Sequence, residues 1–313
     1  MTSFVSIIIP CHNAAPWLAQ TLESALAQTW PEKEIFLVDD GSTDRSLEIA
    51  RSFEARGLRI LRQSNRGAAA ARNAALALAR GDYLQFLDAD DLLTPDKIDA
   101  QVNLLESRAP GHLASCRWGR FVSDPSTARF RDDAVFRDFP PMDYLIVHTG
   151  EKRMMHLGAW LVPRAVAASA GPWNEALSQN DDDEYFARVV LASRGIVFSM
   201  AGASLCRSRL PSSPIRRSDR LAIESRVRSA ELIAGHMRRA EDSPRVVRAL
   251  ANYWQFLEFE MYPGAPDISR RAAREVAALG GSDVRPEMGS NQRVLARLIG
   301  WRLSRRLFQW FRR

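Results

Sequence analysis

The sequence of 313 residues has only three cysteines, Cys11, Cys116 and Cys206, and no CxxC pair. Widely spaced cysteines in odd number indicate neither a disulfide framework nor a zinc site, so we expect a reducing cytoplasmic location. No basic segment precedes the first apolar run, which ends at Pro10, and no other stretch approaches ~20 uninterrupted apolar residues. We therefore expect no signal peptide and no membrane span.

A net positive charge is also missing from most of the chain. The formal net charge is +6, but residues 293–313 hold seven arginines and no acid, so subtracting those seven from +6 leaves −1 for the remainder. The two common nucleotide-phosphate signatures, GxGxxG after the first strand and GxxxxGK[ST], are absent as well. We expect an enzyme-sized globular protein without a nucleic-acid partner.

Strand and helix patterns alternate in the N-terminal part. Helical spacing covers residues 15–28, a second helix capped by Thr43 or Asp44 extends to about residue 56, and an alanine-rich helix ends near Gly81. Short apolar runs predict strands at residues 5–9, 34–38, 58–61 and 83–87. This alternation predicts an α/β fold with a mostly parallel sheet flanked by helices.

Polar residues follow each predicted strand, at the edge where parallel sheets bind ligands. They are His12 and Asn13, Asp39 and Asp40, Asn65 and Arg66, and Asp88 to Asp91. In a single loop, turn formation explains Asp, Asn and Gly equally well, but four such loops together indicate a site.

The run FLDADD places three carboxylates, Asp88, Asp90 and Asp91, within four residues. Because like charges repel, a cation is expected there, and oxygen ligands suit Mg²⁺ or Mn²⁺ that bridges phosphate oxygens. In an extended segment Asp88 and Asp90 lie on one side, so one can hold metal while the other accepts a hydrogen bond from a sugar hydroxyl.

The motifs SIIIPCHN, VDDGSTD, NRGAAAARN and FLDADD, in this order, resemble the inverting family 2 glycosyltransferases of the Rossmann-like GT-A fold. The resemblance covers roughly residues 3–213 and implies sugar transfer from a nucleotide diphosphate, by default a UDP-sugar, with GDP- and dTDP-sugars open. It implies Asp88-Ala89-Asp90 as the ribose and metal motif, with Asp90 on the metal and Asp91 an alternative ligand. It assigns Asp40 to the base, Arg72 to the vicinity of the diphosphate, and Pro10, His12 and Asn13 to the edge of the nucleotide pocket.

A second acidic run, NDDDEYFAR, lies where the family places Glu-Asp at the start of a helix. Matching the run on Arg188 aligns Asp182 with the family's catalytic base, and Asp181 with the usual Glu. The adjacent acids should raise the proton affinity of this run and a helix N-terminus should lower it, so the outcome stays open. The alternative is an acidic, solvated helix start.

The later CRSRLPSS departs from the family, because Arg209 stands where many members have a metal-ligating His. A guanidinium cannot bind metal, so we expect fewer protein ligands, with Arg207 or Arg209 pairing with phosphate instead. The remaining histidines, among them His156 and His236, lack paired spacing and are expected to be structural or exposed.

Beyond residue 213 the pattern is helical only, with helices expected at about 218–241, 244–262 and 267–280. We expect a catalytic domain at 1–213, with a nucleotide-sugar half at about 1–110 and an acceptor half at about 111–213. A helical extension at 214–292 and a basic amphipathic helix at 293–313, broken at Gly300, should follow.

In residues 301–313, leucines and aromatics fall on one side of a helical wheel and arginines on the other. This pattern favours a helix on the inner face of the cytoplasmic membrane, where a lipid-linked or growing glycan acceptor would lie. The competing interpretation packs the same aromatics against the extension or against a second subunit in a homodimer.

The expected function is therefore metal-dependent, inverting glycosyl transfer in the synthesis of surface polysaccharide or glycoconjugate. One rival is a nucleotide-sugar binding protein that has lost its activity. A sugar nucleotidyltransferase shares the broad fold, but its glycine-rich, basic phosphate loop near the N-terminus is missing here.

Overall fold

The structure, a computed structural model, describes residues 2–208 and 219–310. The chain divides into two compact units. Met1–Tyr144 and Met154–His236 form the first unit, and Leu145–Arg153 and Met237–Arg313 form the second. The expected domain boundary at residue 213 lies outside the described residues, as does Arg209.

The first sheet contains β1 (Val5–Cys11), β2 (Lys33–Asp40), β3 (Leu58–Gln63), β4 (Tyr83–Phe86) and the short β8 (Val162–Pro163). Its order is β3-β2-β1-β4-β8, with β8 antiparallel to β4 and the other neighbours parallel. Ile7, Ile8 and Ile9 are completely buried because both faces of β1 are covered. The four predicted parallel strands are thus confirmed.

The helices that connect these strands are α1 (Leu18–Leu26), α2 (Ser46–Arg51) and α3 (Ala68–Leu76). All three are shorter than predicted. The Ala15 N–H donates to the Asp44 carboxylate at 3.0 Å, which ties the segment before α1 into the loop after β2. The expected end of the second helix is instead a separate 3₁₀ turn, Glu54–Arg56.

The second sheet contains β5 (Leu92–Leu93), β6 (His112–Phe121), β7 (Arg129–Phe130) and β9 (Gly195–Arg207), in the order β5-β9-β6-β7. Only the β6–β9 pair is parallel. The associated helices are α4 (Lys97–Glu106), α5 (Pro141–Gly150), α6 (Arg164–Ala170) and α7 (Asp181–Ala192). This sheet brings the end of β9 beside the segment that follows β4.

Four helices complete the described chain: α8 (Arg220–Ala240), α9 (Pro244–Met261), α10 (Pro266–Ala278) and α11 (Ser290–Trp310). Within α11, Gly300 has φ 78° and ψ 156°, so the predicted break is confirmed. In the second unit α9 and α10 pack together and bury Leu250, Trp254 and Ala272. Among the described helices, none has the length and apolar content that crossing a bilayer would require.

Gly202 fixes how closely β9 approaches α4, and it supplies a test of the fold. Its φ is +72°, and a Cβ built there would lie 2.5 Å from the Cα of Lys97. We expect Gly202→Ala to lower the free energy of unfolding by at least about 2 kcal/mol, through backbone strain and collision. Urea unfolding would measure this loss.

Gly235→Ala is the matched control, because α8 leaves open space around that position. Alanine should stabilise the helix there by roughly 0.5–1 kcal/mol. Equal stabilities for the two variants would contradict the proposed close approach.

Candidate active site

The loops that follow β1 and β2 are joined by one asparagine. Asn13 adopts a left-handed backbone, with φ 52°, and its side-chain oxygen accepts the Thr43 N–H at 2.8 Å. The ring nitrogen Nδ1 of His12 lies 2.9 Å from the Asp40 carbonyl oxygen, and the Asn65 amide nitrogen lies 3.2 Å from the same ring. Three of the four predicted polar loops therefore meet at this edge.

Asp40, which is predicted to bind the base of the nucleotide, is buried, and its carboxylate accepts three hydrogen bonds. Its carboxylate accepts the N–H groups of Arg66 and Gly67, each at 2.8 Å, and the Gln63 amide at 2.7 Å. These contacts hold the loop that enters α3, and Pro10 is likewise buried within β1. The nucleotide-binding roles of both residues stay predictions.

Arg72 joins the two acidic runs of the sequence. One guanidinium nitrogen donates to Asp88 and the other to Asp181, both at 2.8 Å, and the group lies over the Trp173 ring, 4.4 Å from its centroid. Burial alone would lower the pKa of Arg72, but the two carboxylates outweigh it and raise that pKa. The structure therefore brings FLDADD and NDDDE together across one cation.

The three carboxylates of FLDADD have different surroundings. Asp88 pairs with Arg72, and Asp91 accepts the Arg207 N–H at 2.6 Å and faces the His156 ring nitrogen at 2.8 Å. Apart from Asp90 itself, no described residue donates a hydrogen bond to the side chain of Asp90. Burial, with the charges of Asp91 and Asp88, raises the pKa of Asp90 to about 7. Its carboxylate oxygens are hard ligands of the type that Mg²⁺ and Mn²⁺ prefer, and metal binding by Asp90 stays a prediction.

His156 carries a role that the sequence pattern did not reveal. It is buried, and its second ring nitrogen lies 2.9 Å from the Ser204 hydroxyl. Burial would lower the pKa of His156, but the adjacent Asp91 carboxylate raises it well above its ordinary value. His156 therefore has a structural role, which is to hold the Asp91 carboxylate in place.

Arg207 is held by protein contacts on every side. Its guanidinium lies 4.7 Å from the Trp17 ring centroid and 4.4 Å from that of Phe121. It donates to the Asp90 carbonyl oxygen at 2.9 Å and to Gln20 at 2.6 Å. These contacts make it a clamp on the backbone of Asp90, and phosphate binding by Arg207 stays a prediction.

The second acidic run begins α7, after Asn180 in the left-handed conformation with φ 54°. Burial, with Asp183 and Asp181 beside it, raises the pKa of Asp182 to about 8. The question that the sequence left open is thus decided in favour of higher proton affinity. The opposite holds for Glu184, where hydrogen bonds from His236 and Arg188 outweigh burial and lower the pKa to about 2.

Helix α8 supports the loop in front of α7, and no motif in the sequence indicated it. The Ser225 hydroxyl accepts the N–H groups of Ser178 and Gln179, both at 2.9 Å, and donates to the Gln179 carbonyl oxygen. One helical turn later, Ser229 donates to the Asn180 carbonyl oxygen at 2.8 Å. The conformation that presents Asp181 and Asp182 is therefore fixed by two serines.

Comparison with known proteins identifies the class. The family described as glycosyl transferase family 2 matches residues 6–167, more than half of the chain, so the protein belongs to this family. The matched range includes FLDADD but ends before the acidic run of α7. Family membership is confirmed, while the assignment of Asp182 stays a prediction.

Sequence relatives share about a third of this chain. A Haemophilus influenzae uncharacterised glycosyltransferase is 42% identical over 104 residues, which are 32% of this chain and 42% of the relative. The Escherichia coli protein WfaP, named UDP-Glc:alpha-D-GlcNAc-diphosphoundecaprenol beta-1,3-glucosyltransferase, is 41% identical over 104 residues, covering 33% and 41%. The aligned part thus spans less than half the length of either relative.

Solved structures confirm the predicted GT-A fold. Residues 1-349 of Staphylococcus aureus TarS in complex with UDP-GlcNAc align with a TM-score of 0.61 and 16% identity, covering 92% of this chain and 95% of that one. The mannosyltransferase PcManGT of Pyrobaculum calidifontis, with GDP-Man and Mn²⁺, has a TM-score of 0.56 and 19% identity, covering 90% and 76%. At these identities the likeness concerns the fold.

The raised pKa of Asp182 predicts a pH-dependent cost to stability. Its ordinary value is 3.8, so between about pH 4 and pH 8 the unfolded chain releases a proton that the folded chain retains. Stability that is present below pH 4 is therefore lost as the pH rises. Asp182→Asn should melt several degrees higher than the parent at pH 8 and at nearly the same temperature at pH 4.

Asp132→Asn, at an exposed position, is the control for loss of one carboxylate. Scanning calorimetry across this pH range makes the measurement. A difference between Asp182→Asn and the parent that does not change with pH would contradict the raised pKa.

The support from α8 predicts a second stability effect. Ser225→Ala combined with Ser229→Ala should cost about 1 kcal/mol per lost hydrogen bond and should speed hydrogen exchange at Ser178 and Gln179. Ser269→Ala is the control, because that hydroxyl is buried without a hydrogen-bond partner among the described residues. Similar losses in both variants would argue against the support.

Proposed function

We propose that the protein is a metal-dependent, inverting glycosyltransferase that moves a sugar from a nucleotide diphosphate, with UDP the default, to a glycan or lipid-linked acceptor. The observation that carries this proposal is the Arg72 bridge between Asp88 and Asp181. This bridge joins the acidic run that contains the candidate metal carboxylate, Asp90, to the run that contains the candidate base, Asp182. Family 2 membership supports the transferase class.

In the proposed reaction, the acceptor hydroxyl oxygen bonds to the anomeric carbon while the bond from that carbon to the diphosphate oxygen breaks. Asp182 takes the hydroxyl proton. A carboxylate with a pKa of about 8 is well matched to this task near neutral pH, because a general base works best when its pKa lies near the ambient pH. Since attack and departure occur on opposite faces of the sugar, the anomeric configuration inverts.

Asp90 would hold Mg²⁺ or Mn²⁺, with Asp91 the alternative ligand. Such an ion supplies Lewis-acid stabilisation of the charge on the departing diphosphate. The donor set fits, because carboxylate oxygens are hard ligands and the partly buried side chain of Asp90 has the negative charges of Asp91 and Asp88 beside it. Arg207 and His156 keep the backbone and the neighbouring carboxylate in place around it.

The acceptor and the cellular location follow from the relatives and from the C-terminal helix. The relative WfaP is named for an undecaprenol-linked acceptor, and this supports a lipid-linked or growing glycan acceptor here. We propose that the protein works in the cytoplasm, at the inner face of the membrane, in the synthesis of surface polysaccharide or glycoconjugate. UDP-GlcNAc bound to TarS and GDP-Man bound to PcManGT leave UDP and GDP donors to be tested.

Donor binding and transfer separate this function from its rivals. A thermal-shift screen of nucleotide sugars with Mn²⁺ should identify a donor, because a ligand selective for the folded state raises the melting temperature. With that donor, Asp182→Asn should lower kcat by roughly 10²–10⁴-fold and leave donor affinity nearly unchanged. Asp90→Asn should abolish the metal dependence of donor binding.

Asp132→Asn is again the control. If the parent binds donor but transfers no sugar to any glycan or lipid-linked acceptor, the inactive binding protein is favoured. If Asp182→Asn turns over normally, the base assignment is wrong, and if no nucleotide binds with or without metal, the proposed function fails. NMR of the product determines whether the anomeric configuration has inverted.

A further inference from the structure

The second unit exposes an apolar surface on α11. Leu303 is 54% exposed, Leu307 40% and Trp310 71%, and their i, i+4, i+7 spacing places them on one stripe. Before the break at Gly300, Val294 and Leu298 are 61% and 79% exposed. We call Leu303, Leu307 and Trp310 the α11 apolar surface. Exposed apolar side chains at helical spacing on one helical segment indicate a partner.

Another side of the same helical segment is already packed. The Trp301 ring meets Phe259 and Tyr262 edge-on, with centroids 4.9 and 5.2 Å apart. Ser304 is fully buried and donates to the Gln292 carbonyl oxygen at 3.0 Å. Packing within the second unit therefore uses the Trp301 side, and it leaves Leu303 and Leu307 in water.

Charge identifies the kind of partner. Residues 293–313 contain seven arginines and no acidic residue. Arg302 pairs with Glu258, and Arg306 is exposed on the segment that carries the apolar surface, while Arg293 and Arg297 are exposed before the break. A fitting partner is apolar within and anionic at its surface, which describes a bilayer that contains acidic lipids.

We propose that the α11 apolar surface inserts into the interface of an anionic membrane, with the flanking arginines at the lipid headgroups. A second copy of the chain fits less well, because a symmetric contact would place the arginines of both copies opposite one another. Nucleic acid would use the arginines but leave the leucines exposed. The proposed function gives this contact its purpose, yet vesicle binding can be measured without any sugar transfer.

The test uses the full chain and vesicles of phosphatidylcholine with or without phosphatidylglycerol. We expect co-sedimentation only with phosphatidylglycerol, weakening between about 0.1 and 1 M salt. Leu303→Glu with Leu307→Glu should lower the partition coefficient at least tenfold. Arg305→Gln with Arg306→Gln should lower it roughly 25-fold, since each arginine near such a surface contributes about fivefold.

Matched controls change the same residue types at exposed positions of the first unit. They are Leu78→Glu with Met200→Glu, and Arg51→Gln with Arg131→Gln. Each should bind vesicles as the parent does, and the melting temperatures of all variants should agree within a few degrees, because none of these side chains is buried.

Three results would overturn the proposal. The first is a full-length chain that ignores phosphatidylglycerol vesicles. The second is binding that the arginine changes abolish and the leucine changes leave intact, which means surface charge without insertion. The third is a dimer in light scattering that Leu303→Glu with Leu307→Glu converts to monomer, which assigns the surface to a second copy. If Leu303→Glu with Leu307→Glu loses vesicle binding but keeps normal sugar transfer, this proposal is upheld independently of the catalytic one.

Discussion

The site depends on one buried cation, the Arg72 guanidinium. Its side chain is 5% exposed and is paired at 2.8 Å with Asp88 and Asp181, which lie 16 and 109 residues away in the sequence. A buried charge that has left water is tolerated only while its partners remain, so losing either carboxylate would be strongly destabilising. The Trp173 ring beneath it adds cation–π attraction. Two distant acidic segments are therefore obliged to stay together.

The same arrangement leaves an excess of negative charge. Arg72 is one cation beside Asp88, Asp181 and Asp182, and burial together with the neighbouring carboxylates raises the pKa of Asp90 to about 7 and that of Asp182 to about 8. A nucleotide diphosphate would add more negative charge, so a divalent cation is the natural complement when that ligand enters. The excess of negative charge and the proposed metal-dependent transfer thus have the same physical origin.

Much of this could be predicted from the sequence, because strands such as β1 and loops such as FLDADD are determined by local patterns. The two acidic runs were found for the same reason. Their connection through Arg72, the anchoring of Asp91 by His156, and the support of α7 by Ser225 were not predicted, because each depends on residues far apart in the chain. Serine at i and i+4 of a helix has no distinctive signature until its partner loop is in place.

FLDADD raises the question of how three adjacent carboxylates can coexist. Asp88 is neutralised by Arg72 and Asp91 by His156, with the Arg207 N–H adding a further hydrogen bond to Asp91. A guanidinium N–H of Arg207 also donates a hydrogen bond to the Asp90 carbonyl oxygen. One residue of β9 therefore fixes the backbone of Asp90 and the side chain of Asp91. With the outer two charges compensated, only the Asp90 carboxylate lacks a partner among the described residues. Asp88 and Asp91 therefore have structural roles in this run, and Asp90 remains the candidate metal ligand.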